Sequence, residues 1–454
     1  MRIAIVGGGI SGLATACFLE RAGHDVVCLE PSAHPGGAIR SERRGGFLCE
    51  TGPQAILEGA PETSALIAEL GLDARVVRAA PAVARRRFIY VRGALRPVPA
   101  GPAALLRSDT LNLAAKLRLL AEPLVPRGPA ARDAAGAADE SVLDFGRRRL
   151  GDGAATALLA PAVIGVFAGD AARLSVRSAF PRLYAFERQH GSLLRGFLKS
   201  RRSGQLGAGR LMSFRDGLGE LPRALAARLG PRLMRASVGA IARAGARWRL
   251  DLDADPACAA VDSDAVVVAA SPRATATLLS PLAPAAAAAV RAVPMAPVAV
   301  ACLGFHRPPD GVDLRAYGFL VARGERPTLL GCQYESSIFP GRAPPGAVLI
   351  RAILGGTFAP TVVAESDDAI AAVALSDLRR AVGLRGDPDF VAVWRHQDAI
   401  PQYELGHADR VAAVDADVAH HAGLHVLGYA LRGVGVNDCI QAAADLARRI
   451  GPAA

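Results

Sequence analysis

The apolar positions in the first thirty residues change period twice. RIAIV (residues 2–6) is an unbroken apolar run of strand length. SGLATACFLERAG then places its apolar residues three and four apart, the period of a helix, and stops at Gly23. DVVCLE returns to a strand pattern and ends in Glu30. This order predicts a βαβ unit. Further along, residues 81–99, with RRRFIYVRGALRPVP, read as β structure closed by prolines. Helical periodicity fills 100–200, broken by the linker-like EPLVPRGPAARDAAGAADE. SFRDGLGELPRALAARLG predicts a glycine-bounded helix, and RWRLDL and DAVVVAAS predict strands. APVAVACLGF, LVARG, TLLGCQYES and AVLIRAILGG form a β-rich stretch, and ESDDAIAAVALSDLRRAVGL a helix. There is no internal repeat, and the alternation predicts an α/β fold with interleaved segments.

Between the first strand and its helix, Gly7, Gly9 and Gly12 stand in G-x-G-x-x-G spacing. One glycine makes the tight turn, one lets the backbone approach a pyrophosphate, and one lets helix and strand pack closely. The helix N-terminus offers free N–H groups to the phosphates. Glu30 is placed to accept hydrogen bonds from ribose hydroxyls, so the unit predicts a dinucleotide site. The far end carries LGYALRGVGVNDCIQAAADLARRI, a second glycine-rich turn ahead of a helix. Two such turns at opposite ends of a chain suggest one extended cofactor gripped from both sides.

A chain of 454 residues predicts two or three domains, and 51% hydrophobic with 21% charged residues suits packed cores. Seven cysteines without a CxxC read as reduced thiols, with Cys439 a small packing residue. The chain opens on a strand, so no targeting segment is expected, and no apolar run is long enough to span a membrane. The net charge is +11, and residues 91–204 alone hold 18 Lys+Arg against 9 Asp+Glu. A basic, apolar, helical stretch fits an anionic lipid surface. The plainer reading is that arginine is the default cation of a chain with two lysines. Basic residues are not interleaved with aromatics, which argues against nucleic acid. The nine histidines lack metal-ligand spacing, so no metal is expected, and no Ser/His/Asp constellation is apparent.

After Glu30, the double glycine Gly36-Gly37, then Arg40 and Gly52-Pro53, resembles the flavoprotein amine oxidase and protoporphyrinogen oxidase superfamily. IGVFAGDAARLSVRSAFPRLYAFE, SFRDGLGELPRALA, IPQYELGHADRV and RGVGVNDCI extend the resemblance over the whole chain, to the oxygen-dependent protoporphyrinogen oxidases. The resemblance implies non-covalent FAD bound by a Rossmann-like domain of residues 1–80, 205–275 and 400–454. A β-rich α+β substrate domain would take 81–90 and 276–399, and a helical membrane-binding domain 91–204. The implied FAD contacts are Gly7, Gly8, Gly9, Ile10, Ser11, Gly12, Glu30, Gly36, Gly37, Ala38, Ile39, Arg40, Gly52, Pro53 and Val238. The second turn adds Tyr429, Val434, Gly435 and Val436, beside the flavin ring.

The implied reaction takes hydride from a meso carbon of protoporphyrinogen to flavin N5. Oxygen then reoxidises the flavin and yields hydrogen peroxide, and no protein side chain need act as a strong base. Arg87 matches the position that meets a substrate propionate. Leu320, Leu330 and Ile353 match those that sandwich the rings, and Gly165 and Phe167 the turn beside the cavity. Ile353 stands where the family often has an aromatic residue. Coproporphyrinogen III is the close alternative substrate. An amine oxidase, or a non-catalytic porphyrin carrier, is more distant. The family also implies a homodimer, peripheral on the cytoplasmic face of the inner membrane.

Overall fold

The computed structural model describes residues 1–99, 102–128, 139–202, 210–253, 259–326 and 328–453. Five parallel strands form its first sheet, in the order Leu233–Met234, Asp25–Leu29, Arg2–Val6, Ala265–Val268, Leu424–Val426. The central strands are buried on both faces, as their continuous Val and Ile runs require. One face is covered by the helices Ile10–Arg21, Val436–Ile450, Glu220–Leu229 and Pro61–Glu69. The other packs against an antiparallel ribbon, Val238–Ala244, Arg247–Leu252 and Ala260–Ser263, with the helices Pro272–Leu279 and Pro284–Arg291 beside it. These two helices belong to the layer under the parallel sheet. The chain therefore leaves that layer near Met295, not at residue 276 as the sequence reading had it.

The second sheet has seven strands, in the order Phe390–Pro401, Met295–Phe305, Val348–Gly355, Gly331–Gln333, Gly318–Val321, Arg87–Val91, Ala94–Pro97. Its hairpin runs on to Pro97, past the expected boundary at residue 90, and its first strand reaches Pro401, past 399. The helix Asp367–Val382, capped by Ser366 (Oγ accepts from Ala369 N at 3.2 Å), lays Ile370, Ala374 and Leu378 on one face. The opposite face turns toward Phe47, Cys49 and Ile164.

A helical layer, including Leu113–Leu120, Val142–Leu150, Ala160–Phe167, Pro181–His190 and Leu193–Arg202, covers the end of this sheet. Fully buried Arg149 pairs there with Glu122 and Glu187 and donates to the carbonyls of Val125 (2.9 Å) and Gly191 (2.9 Å). It ties the segment after residue 120 to the Gly191 turn. The middle of the expected linker, residues 129–138, lies outside the described residues. Among the described residues, no helix is long and apolar enough to cross a membrane.

The glycine turn after the first strand is set by close approach. A Cβ at Gly12 would lie 1.9 Å from the Gly7 carbonyl oxygen, whereas one at Gly9 meets nothing within 4 Å. Gly12→Ala is therefore expected to lower the stability of the flavin-free protein by roughly 1–3 kcal/mol through overpacking. Gly9→Ala should cost under about 1 kcal/mol, the effect of alanine at an N-cap. Thermal unfolding of the two variants checks the contrast, and equal losses would refute it.

Candidate functional site

The two glycine turns of the sequence come together in space. The helices that follow them run parallel and side by side. Ser11 lies against Cys439 near both N-termini, and at the other end Ala453 N donates to Ala22 O at 2.8 Å. Two positive helix ends therefore open on the same side of the sheet. Gly7 (φ +108°) carries the chain out of the first strand against Ala269. Gly8 N donates to Glu30 Oε2 at 2.6 Å, and Ser32 N donates to Oε1 at 2.9 Å, so Glu30 braces the turn it faces. Glu30 is also tied to the edge strand Leu233–Met234, its N–H donating to Met234 O at 3.0 Å, and Val238 follows two residues after Ala236, whose N–H donates to Glu30 O.

Gly36 and Gly37, both at positive φ, fold over the first turn. Gly36 N donates to Gly8 O at 2.7 Å. Ala38 and Arg40 are exposed and Ile39 is buried. A Cβ at Gly52 would lie 2.0 Å from Ala38 O, and Thr51 N donates to Arg40 O at 2.9 Å, so Gly52-Pro53 packs directly on this segment. The open space above Gly9, the paired helix ends and the acid at the strand end fit a dinucleotide with a pyrophosphate.

The motif IPQYELGH holds the second turn. Tyr403 donates from its hydroxyl to Tyr429 O, and His407 Nε2 bonds Leu431 O at 2.9 Å. The two rings stack at 4.1 Å. Burial holds His407 below the usual imidazole range, which keeps it neutral. Gln402 Nε2 donates to Phe167 O at 2.8 Å and fixes the end of the helix Ala160–Phe167. Val434 and Gly435 are half-buried, Val436 opens the last helix, and Asp438 accepts from Gly435 N at 3.1 Å. Burial pushes the Cys439 thiol up to about 11, so it sits there as a neutral packing group.

Among the expected substrate residues, Arg87, Leu320 and Ile353 share one face of the seven-stranded sheet. Leu320 stands beside Ile89 and Gly331, and Gly331 beside Ile353. Arg87 lies two residues before Ile89 and points the same way. Leu330 is buried with Ile164 and Ala168 and donates from its N–H to Ile353 O at 2.9 Å. A Cβ at Gly165 would lie 2.9 Å from Leu320 Cδ1, so its helix closes directly over Leu320. Phe167 departs from the group. Its ring is buried edge-on to Phe180 (5.6 Å) and Tyr403 (5.7 Å), in the core of the helical layer and away from this face.

A buried polar network that the sequence reading did not single out joins this face to the Gly52 turn. Arg351 donates to Glu50 O (3.2 Å), to Gly52 O and to Gln333 Oε1 (2.6 Å). Arg342 pairs with Glu50 at 3.2 Å. Of the two orientations of the Gln54 amide, one turns its NH2 to Glu335 (3.0 Å) and its oxygen to the Tyr317 hydroxyl (2.7 Å). That one gives each group a matching partner. The available signal was Arg351 itself, a charge in the middle of the apolar strand VLIRAILG.

Glu335 is fully buried, and its pKa is pushed up to about 7, chiefly by burial, with Arg351 and Arg342 opposing. The folded state thus binds this proton more tightly than the unfolded chain. Stability contributed at this site falls as pH rises from about 4.5 to about 7 and is level above it. Glu335→Gln removes the titration. Its melting temperature relative to the wild type should climb between pH 4.5 and 7. A constant difference across that range would show that Glu335 does not titrate there.

Residues 10–451 match the family described as flavin containing amine oxidoreductase. The human protein named protoporphyrinogen oxidase is 34% identical over 481 residues, covering 97% of this chain and 96% of that protein. The Bacillus subtilis (strain 168) protein named coproporphyrinogen III oxidase is 29% identical, covering 96% of this chain and 95% of its own. A crystal structure of a candidate protoporphyrinogen oxidase from Exiguobacterium sp. 255-15 superposes with a TM-score of 0.82 at 26% identity, covering 99% and 98% of the two chains. A match over nearly the whole chain decides the matter: the protein belongs to the flavin containing amine oxidoreductase family, where its full-length relatives include protoporphyrinogen and coproporphyrinogen III oxidases.

Proposed function

We propose that this chain is a porphyrinogen oxidase that binds FAD non-covalently and oxidises protoporphyrinogen IX to protoporphyrin IX, with oxygen as acceptor and hydrogen peroxide as product. The observation that carries this reading is the one-sided charge of the candidate substrate face. Arg87 stands at one end, and Arg96, paired with Asp109, lies opposite Ile89 on the edge strand beside it. From there the row continues as Ile89, Leu320, Gly331, Ile353, Val300 and Trp394. Arg351, on the same face across from Arg87, is buried with its donors turned to Glu50 O, Gly52 O and Gln333 Oε1. Such a face suits a macrocycle with carboxylates on one edge and apolar vinyl groups on the other.

FAD, when bound, supplies the acceptor for the hydride. The chain's own share is binding and orientation. Gly7 to Gly12 and the Gly36-Gly37 turn would take the pyrophosphate, and Glu30 the ribose. The N-terminus of the helix Val436–Ile450 would favour negative charge on the reduced ring. Arg87 would pair with a propionate through its planar fork, and the apolar row would exclude water from the reacting carbon. Coproporphyrinogen III is the second reading, favoured by the name of the Bacillus subtilis relative.

Anaerobic mixing with each porphyrinogen, followed by flavin bleaching, decides between them. Protoporphyrinogen should bleach faster; the reverse order selects the second reading, and no bleaching with either sinks both. Arg87→Ala should raise KM more than it slows bleaching at saturation. A charged hydrogen bond contributes about 1.5–3 kcal/mol, so kcat/KM should fall roughly tenfold to a hundredfold. An unchanged KM would return Arg87 to an ordinary solvated side chain.

Peripheral attachment to an anionic membrane, at the cytoplasmic face of the inner membrane, belongs to the same reading. Leu113, Leu117, Leu120 and Leu124 follow one another at helical spacing and are 71%, 59%, 48% and 82% exposed. The protein should sediment with anionic vesicles at low salt, and Leu117→Glu/Leu124→Glu should release it. Sedimentation that ignores both lipid charge and these substitutions would refute the attachment.

A further inference from the structure

Arg87 is exposed, yet its guanidinium is not free to wander. Its Nε–H donates to Ala84 O at 3.0 Å, and its central carbon lies 4.6 Å from the centroid of the Tyr317 ring. The ring takes the flat face of the guanidinium. Stacking of this kind leaves the in-plane N–H groups available. Among the described residues, the two Nη groups of Arg87 meet no hydrogen-bond acceptor.

The ring that forms this platform is itself fixed. Tyr317 precedes Gly318, whose φ of +134° turns the backbone, and a Cβ at Gly318 would lie 2.0 Å from Cys332 O. The Tyr317 hydroxyl meets Gln54 at 2.7 Å and accepts from Gln333 Nε2 at 3.3 Å. Gln333 is held in turn by Arg351, which also donates to Gly52 O. One continuous set of contacts therefore runs from the Gly52 turn to the plane of the Arg87 guanidinium.

We propose that Tyr317 is a positioning residue that sets the substrate preference of this site: its clamped ring presents Arg87 as a preformed receptor for a carboxylate. A long arginine in solvent must give up its rotamer freedom when it pairs with a carboxylate, and this loss subtracts from binding. Here the Ala84 carbonyl and the Tyr317 ring hold the side chain before the ligand arrives. Recognition of the carboxylate thus depends on Tyr317, which need not touch the ligand. Binding of the apolar part of the ligand does not.

The proposal rests on the porphyrinogen reading, and its test separates the two. The flavin-loaded full chain is titrated with protoporphyrin IX and with its dimethyl ester, followed by fluorescence quenching. The wild type should prefer the diacid. Tyr317→Leu should lose roughly threefold to thirtyfold of that preference, the span of a cation–π contact, with ester affinity unchanged. Tyr317→Phe, which keeps the ring, should retain most of it. Arg87→Ala/Tyr317→Leu should be no worse than Arg87→Ala alone. Gln333→Met, which loosens the hydroxyl without touching the ring, should give a smaller loss of the same kind, and it serves as the second variant if Tyr317→Leu does not fold. An unaltered acid-to-ester ratio in Tyr317→Leu, or in Gln333→Met where it stands in, overturns the proposal. So does an equal loss for both ligands, which marks a merely structural role. A wild type without any preference for the diacid defeats the propionate reading of Arg87 itself.

Discussion

The structure depends first on the contact between the helices Ile10–Arg21 and Val436–Ile450. They come from opposite ends of the chain, so every intervening segment must return for them to meet. Their interface is built from small and medium residues, among them Leu13, Ala14, Cys17, Ile440, Ala443 and Ala447, which let the axes approach closely. The height of the first helix over the sheet is set by Gly12 against the Gly7 carbonyl, where no side chain fits. The result is electrostatic as well as steric. Parallel packing places two helix N-termini together; Asp438 caps the second through Gly435 N, whereas the first has no side-chain cap and no acidic residue in its first turn. A protein gains nothing in stability from that arrangement alone; an anionic group between them is what it suits.

The second constraint is the network around Arg351. The seven-stranded sheet packs one face on the helix Asp367–Val382 through a largely apolar core, with Asp367 and Asp377 accepting from Arg395 and from Thr328 and Leu329 around it, while its other face carries Arg351 and Gln333 to the Gly52 turn. Burying charge there costs free energy, and the pairs Arg342–Glu50 and Arg351–Glu335 need not recover it all. What they do is fix position. Arg351 reaches the carbonyls of Glu50 and Gly52 together, and a hydrophobic replacement could hold neither. The raised pKa values of Glu50 and Glu335, both led by burial, are the mark of this compromise.

Local pattern made much of this legible. The βαβ unit, the strands at Arg247–Leu252 and Met295–Phe305 and the helix Asp367–Val382 follow from apolar periodicity, caps and glycines within a short window. Helix Pro284–Arg291 was not read, because its alanines carry little hydrophobic signal and its identity comes from packing on the ribbon. The site was legible in proportion to how local its cause was. Gly9 and Gly12 announce themselves by spacing. Phe167, carried over by resemblance, turns into the helical core because Tyr403 and Phe180 complete its packing there. Gln54, Tyr317, Gln333 and Arg351 come from four separate segments, and no window of sequence contains their relation. Arg351 alone showed, as a charge where the strand pattern asks for an apolar residue.

The placement of charge divides the work of the site. Arg87 lies at the exposed end of the proposed substrate face, where salt screens fields beyond about 8–10 Å. A cation there adds to binding and orientation but exerts little field on atoms deeper along the row. Leu320, Leu330 and Ile353, proposed to line the same site, offer no charge and no exchangeable proton. Glu335 does carry a proton near neutral pH, yet it is sealed behind Gln54 and Arg351. The backbone N–H groups at the two helix ends are fixed in place before any ligand arrives. Such dipoles do not titrate, so their stabilisation of developing negative charge persists across the pH range in which the fold survives. A site organised this way offers fixed dipoles rather than a titrating acid or base.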